Sequence, residues 1–131
     1  MSHQRLTALF LSGITMVLLA TGCGDDRERR LEAGVNFARR ALERTASDPM
    51  AALALQSHLE MGGTPASYVV SCLPDVDPVF TRYESKRPTS PWTVVILEKP
   101  GTQRFTIEGY NEDLTRPRFS VEVGPGIKPK L

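Results

Sequence analysis

Cysteine, histidine and tryptophan are scarce in this chain: two, two and one among 131 residues. Two cysteines allow at most one internal disulfide, so the fold is not a framework stapled by several bridges. An excess of either charge is missing too, since the formal net charge is +1. Nucleic-acid binders gather a basic excess on one face, so no nucleic-acid partner is expected. No internal repeat and no low-complexity tract of useful length is present. Ten glycines, ten prolines and 7% aromatics fit a globular α+β chain rather than a disordered or fibrous one, and the length accommodates one modest domain.

Charge is absent altogether from Leu6 to Gly24, after a short head containing Arg5. Leu9, Phe10, Leu11, Ile14, Val17, Leu18 and Leu19 make an apolar core that ends in the small residues Ala20-Thr21-Gly22 before Cys23. Basic head, apolar core and small-residue exit are the three parts of an export signal. An uncleaved membrane helix is the alternative, because a span needs about 20 apolar residues. Against it, Ser12, Gly13 and Thr15 dilute the middle and leave a densest apolar part that is short for a permanent span.

The pentapeptide Leu19-Ala20-Thr21-Gly22-Cys23 resembles the lipobox of bacterial lipoproteins. The resemblance implies that the Cys23 thiol receives a diacylglyceryl group, that the signal is cut between Gly22 and Cys23, and that the new amino group is acylated. Lipoproteins prefer Leu three positions before the cysteine, whereas this chain has Ala20 there and Leu19 one step further. The likeness covers residues 1–23 only. Each buried methylene contributes about 0.8 kcal/mol, so one acyl chain holds marginally and two or more hold stably. In the proteobacterial sorting pattern Asp directly after the cysteine retains the protein at the inner membrane. Gly24 stands there, with Asp25 one later, which implies outer-membrane residence facing the periplasm in an organism that has an outer membrane.

Removing residues 1–22 takes Arg5 alone among the charged side chains, so those that remain balance to zero. With Cys23 consumed by lipid, Cys72 has no intramolecular partner. It lies in the β-leaning run Ser67-Tyr68-Val69-Val70-Ser71-Cys72-Leu73, where a buried small hydrophobe is expected in preference to an intermolecular bridge.

In the body of the chain, Cys23 and the charged residues 24–30 are expected to form a short solvated tether or the first turn of a helix. Leu31, Val35, Ala38 and Leu42 then recur at helical spacing, predicting a helix over about 31–45. Ser47-Asp48-Pro49 supplies a cap followed by proline at the first helical position, so a second helix runs over about 49–61 until Gly62-Gly63 stops it. From 67 to 123 the texture is β-rich, with strands expected at 68–72, 79–84, 92–98, 104–110 and 119–123. Lys99-Pro100-Gly101-Thr102 places Pro and Gly at the centre of a type II turn and predicts a hairpin between the third and fourth of these. Alternation of Phe105, Ile107 and Gly109 with Arg104, Thr106 and Glu108 gives a dry and a wet face. The fold class expected is α+β: an N-terminal antiparallel helix pair packed on one face of a mainly antiparallel sheet of about four to five strands. One domain spans 31–123, and residues 124–131 form an irregular, mobile tail.

Chemistry-bearing residues are few. Cys72 with His58 as base and Asp75 or Asp77 as orienter can be drawn, but no nucleophile turn surrounds Cys72, and His58 reads as a helix-surface residue. Neither the spacing of a zinc site nor the acidic pattern of a calcium loop is present, and no cofactor is expected. The segment Gly109 to Arg118 combines Tyr110, Asn111, Glu112, Asp113 and Arg116, a mixture suited to recognition in an exposed loop, although Asn111 and Asp113 also suit plain turn formation. Trp92 is assigned to core packing.

These readings converge on a small, non-catalytic interaction or accessory module of the cell envelope. It is held to the membrane by lipid on Cys23 and partnered by another envelope protein; the residues define no small-molecule ligand. The alternative is a binding module for a peptide, glycan or cell-wall fragment, and a Cys/His-dependent enzyme comes third. Cys23→Ser abolishes acyl labelling and leaves an unprocessed precursor on a gel; normal maturation of that variant would overturn the lipobox reading.

Overall fold

The computed structural model describes residues 23–72, 80–84 and 86–128; the expected export signal with Gly22, the segment carrying Asp75 and Asp77, and the last three residues lie outside them. Three helices, α1 (Cys23–Ser47), α2 (Pro49–Glu60) and α3 (Pro65–Ser71), precede three strands, β1 (Thr93–Lys99), β2 (Arg104–Tyr110) and β3 (Phe119–Val123). The strands form one antiparallel sheet in the order β1-β2-β3. The architecture is α+β, with three helices and three strands among the described residues in place of a helix pair and four or five strands. Among the described residues no helix is long and apolar enough to cross a membrane.

The stripe Leu31, Val35, Ala38 and Leu42 is fully buried, or nearly so. It packs on Val94 and Ile96 of β1, Phe105 and Ile107 of β2 and Val123 of β3. Each fully buried Leu, Ile or Val contributes about 1.5–3 kcal/mol. β2 lies at the centre, and Gly109 brings it within reach of α1: a Cβ there would stand 2.7 Å from Val35 Cγ2 and 3.2 Å from Leu31 Cγ. Gly34 plays the same part on the helix side, where a Cβ would meet Thr81 Cγ2 at 2.7 Å.

α1 begins at Cys23, so residues 24–30 are its first turns and not a separate tether. α2 starts as expected: the Asp48 side chain accepts the Met50 amide at 3.0 Å and Pro49 opens the helix. It ends with Gly62 at φ 93 and the Gly63 amide bonded to the His58 carbonyl at 2.9 Å. Against expectation, α2 packs on α1 and α3 without touching the sheet, and only its Leu55 is buried. The helix pair therefore does not lie side by side on the strands; α1 alone spans all three.

The strand expected at 68–72 is helix α3. Val69-Val70 favours extended chain by β-branching. The preceding Thr64-Pro65-Ala66-Ser67 is a complete capping box with proline at its first turn, and helical spacing turns Ala66 and Val69 into the core. The helix stops at Ser71, so Cys72 becomes its exposed C-cap; the buried position expected for this thiol is incorrect. Residues 80–84 form no strand. They run beside β1 with a backbone bond from Ile96 N–H to Glu84 O at 2.9 Å.

The hairpin forms as expected, with Lys99 paired to Arg104, Gly101 at φ 78 and the Thr102 amide bonded to Lys99 O at 3.2 Å. The inward alternation of β2 and β3 holds. β1 departs from it: Thr93 to Ile96 are buried on both faces. On its outer face the 86–92 loop closes over the strand, with Pro88 buried and the Thr93 hydroxyl donating to Ser90 O at 2.8 Å. Residues 124–127 turn back on β2, where Arg104 Nε donates to Pro125 O at 3.1 Å.

Gly109→Ala lowers stability by about 1–3 kcal/mol, because the added methyl meets the stiff, buried Val35 and Leu31. Thermal melting registers this as a fall of about 4–8 °C per kcal/mol. Intrinsic propensity alone predicts the opposite sign, a gain of about 0.5–1 kcal/mol, so a raised melting temperature would refute the close-approach account.

Candidate functional site

Tyr110 closes β2 with its ring buried and its hydroxyl donating to Glu108 at 2.7 Å. The chain then turns: Asn111 Oδ1 accepts the Asp113 amide at 2.9 Å, and Asp113 Oδ1 accepts the Thr115 amide at 3.0 Å and the Thr115 hydroxyl. Those bonds hold the Asp113 carboxyl below its ordinary range. Arg118 N–H closes the loop on Gly109 O at 2.7 Å. The two residues capable of recognition through an amide and a carboxylate are thus engaged in shaping the turn.

The rest of the loop reaches the first turns of α1. Glu112 lies 3.9 Å from Arg27, and Arg118 Nε donates to Glu28. Exposed pairs of this kind contribute about 0–1 kcal/mol each, so burial of Tyr110 and the Gly109–Arg118 bond hold the loop base and the ion pairs align it. Arg116 stays exposed beside Asp113. At the same end the Arg27 guanidinium sits 5.4 Å above the Trp92 ring and Arg30 sits 4.8 Å above Phe80. Trp92 packs against the core as expected, yet with φ 58, a strained value for a bulky side chain. The 110–118 loop and the start of α1, Cys23 included, therefore occupy one end of the molecule.

His58 lies with its ring over Gly63, Nε2 2.8 Å from Ser67 Oγ and its edge toward the Tyr68 ring. Ser67 Oγ also accepts the Thr64 amide at 2.9 Å as part of the cap of α3. The imidazole ties the end of α2 to the start of α3. Cys72 is near enough to Tyr68 to help burial raise that phenol's pKa. The drawn trio of Cys72, His58 and an aspartate is not assembled among the described residues: His58 is committed to Ser67, and Asp75 and Asp77 lie outside them. Among the described residues no three His, Cys, Asp or Glu side chains are grouped to hold a metal.

What the sequence reading missed is at the opposite end. An open groove of about 530 Å³ runs between the last turns of α1, the inner side of α2 and the end of the sheet, lined by Leu42, Leu55, Leu59, Phe105, Val123 and Pro125. On the outside of α2, Met50, Leu53 and Met61 are exposed, the last by 87%. The surplus of apolar residues on every side of 49–61 was the available signal: a helix apolar all round wants more cover than one neighbour supplies.

Burial first, and then the bond to Glu108, push the Tyr110 pKa up to about 12, with Arg87 pulling the other way. The folded state therefore keeps a proton that the unfolded chain releases near the ordinary value of 10.0. The stabilisation is complete below pH 10.0 and is lost as pH rises toward about 12. Denaturant titrations across this range show stability falling with pH, and Tyr110→Phe makes the fall shallower; an unchanged slope would dissociate Tyr110 from it. Compared with protein-family models, with curated proteins and with solved structures, the chain matches none.

Proposed function

We propose that the protein is a lipid-anchored component of the bacterial cell envelope whose domain is a non-catalytic interaction module for another envelope protein. The observation that carries this reading is the uncharged run from Leu6 closing on Leu19-Ala20-Thr21-Gly22-Cys23, which resembles a lipobox. Cys23 and Gly22 are the lipidation and cleavage residues, and outer-membrane residence follows from Gly24 in the sorting position. Two features of the domain support the rest. The polar groups with chemical potential, His58, Ser67, Asp113 and Thr115, are engaged with each other in caps and turns. Among the described residues, the large apolar side chains left exposed are mostly on or beside α2, with a groove beneath it.

An exposed helix with large apolar side chains on one flank and a groove on the other suits a protein partner that lays an apolar segment alongside it. α1 rises about 1.5 Å per residue, so Leu42 stands roughly 30 Å along the helix from Cys23, and the groove faces away from the anchored end. The groove's volume also falls within the range of ligand pockets, roughly 300–1,000 Å³, which keeps a peptide or glycan ligand as the second reading.

A photo-crosslinking residue at Leu53, 58% exposed, captures one defined membrane or envelope protein in intact cells, while the same residue at exposed Thr102 on the hairpin turn does not. Equal, unspecific capture at both positions would overturn the interaction reading. A rise in melting temperature with a soluble cell-wall fragment, in the absence of any protein, favours the second reading instead.

A further inference from the structure

We infer that the end of the domain formed by the start of α1, the Tyr110–Arg118 loop and Trp92 is seated on the lipid bilayer, with the groove held at the far end. The inference rests on the anchoring reading and adds to it an orientation. Its first support is the absence of slack. The uncharged run reaches Gly24 and α1 is already helical at Cys23, so no linker separates the anchor from the fold. Lipid on Cys23 and an uncleaved apolar run have the same consequence: the first turn of α1 starts at the membrane surface.

Stiffness is the second support. α1 continues unbroken to Ser47, and its core-facing stripe starts at Leu31, about 12 Å along the helix from Cys23 at 1.5 Å per residue. A motion of the domain relative to the anchor has to bend a helix that the sheet grips. The third support is what surrounds that first turn. Glu112 and Arg118 fasten the loop to Arg27 and Glu28, and Arg27 stacks on Trp92. The guanidinium pairs an apolar stem with a polar tip, which suits the headgroup layer, and the partly buried Trp92 ring beside Arg27 keeps its indole Nε1 inside the fold. Charge does not drive the seating, because Arg27, Arg29, Arg30, Arg116 and Arg118 at this end are balanced by Asp25, Asp26, Glu28, Glu112 and Asp113. Anionic lipid is therefore not required.

Trp92 is the only tryptophan, so its fluorescence reports the position of this end directly. The full-length protein, matured in cells and purified in detergent, is reconstituted into phosphatidylcholine vesicles carrying nitroxide-labelled headgroups. Trp92 emission is expected to be quenched, equally with and without phosphatidylglycerol. In a Trp92→Phe/Met50→Trp variant, which moves the probe to the groove end, quenching is expected to be lost. Inserting eight Gly-Ser residues between Gly24 and Asp25 is expected to remove the Trp92 quenching while flotation with vesicles persists. Flotation with equal quenching at both probe positions, or quenching unaffected by the insertion, overturns the seating and leaves anchoring intact. Failure to float overturns the anchoring reading and the seating with it.

Discussion

The contact between α1 and the central strand β2 is what the remaining structure depends on. Leu31 and Val35 descend onto a stretch of β2 where Gly109 has no side chain, and a Cβ at 2.7 Å from Val35 would hold the two elements apart. Because β2 is flanked by β1 and β3, seating α1 on it also brings the helix over Val94, Ile96 and Val123. The other two helices are secured indirectly. α2 has α1 and α3 for neighbours and no strand, and α3 contributes Ala66 and Val69 to the core that α1 has already organised. Stability is thus concentrated in one helix-sheet interface, where apolar side chains are withdrawn from water on both sides.

That concentration leaves the two ends of the molecule with opposite characters. At the start of α1, charges are numerous but matched, aromatic rings lie under guanidinium groups, and the loop after β2 is closed by its own side chains. At the far end, α2 hangs from α1 with apolar residues on its outer side and an apolar groove on its inner side. A polar group whose hydrogen bonds are satisfied at home gains little from a partner, whereas exposed apolar area gains by being covered. The difference favours association at the α2 end over chemistry at the loop.

Local rules carried the reading of the sequence wherever one element had one dominant signal. The four-residue stripe of α1, the Asp48-Pro49 start of α2, the Pro100-Gly101 turn and the alternation along β2 and β3 all stand as expected. Where two signals competed, the weaker one was followed. Val69 and Val70 argued for a strand, but Thr64 and Ser67 satisfy each other's backbone groups reciprocally, and the cap with Pro65 decides for helix. The expectation of a strand there carried over to Cys72, which the β-leaning run put inside and the end of α3 leaves exposed. In the 110–118 loop, Asn111 and Asp113 were legible as turn formers, and the ties of Glu112 and Arg118 to α1 were not, since nothing local brings residues 28 and 118 together.

By itself the sequence determined the helical stripe, the hairpin, the α+β character and the uncharged run through Cys23 to Gly24, because each is written in residues close along the chain. Only the tertiary structure decided that α2 stays off the sheet, that the 110–118 loop shares an end with Cys23, and that an apolar groove opens roughly 30 Å along α1 from that end. These depend on which surfaces meet after the chain has folded. Spacing along one segment records the face that will be buried, and it carries no record of how much of that face a distant segment will cover.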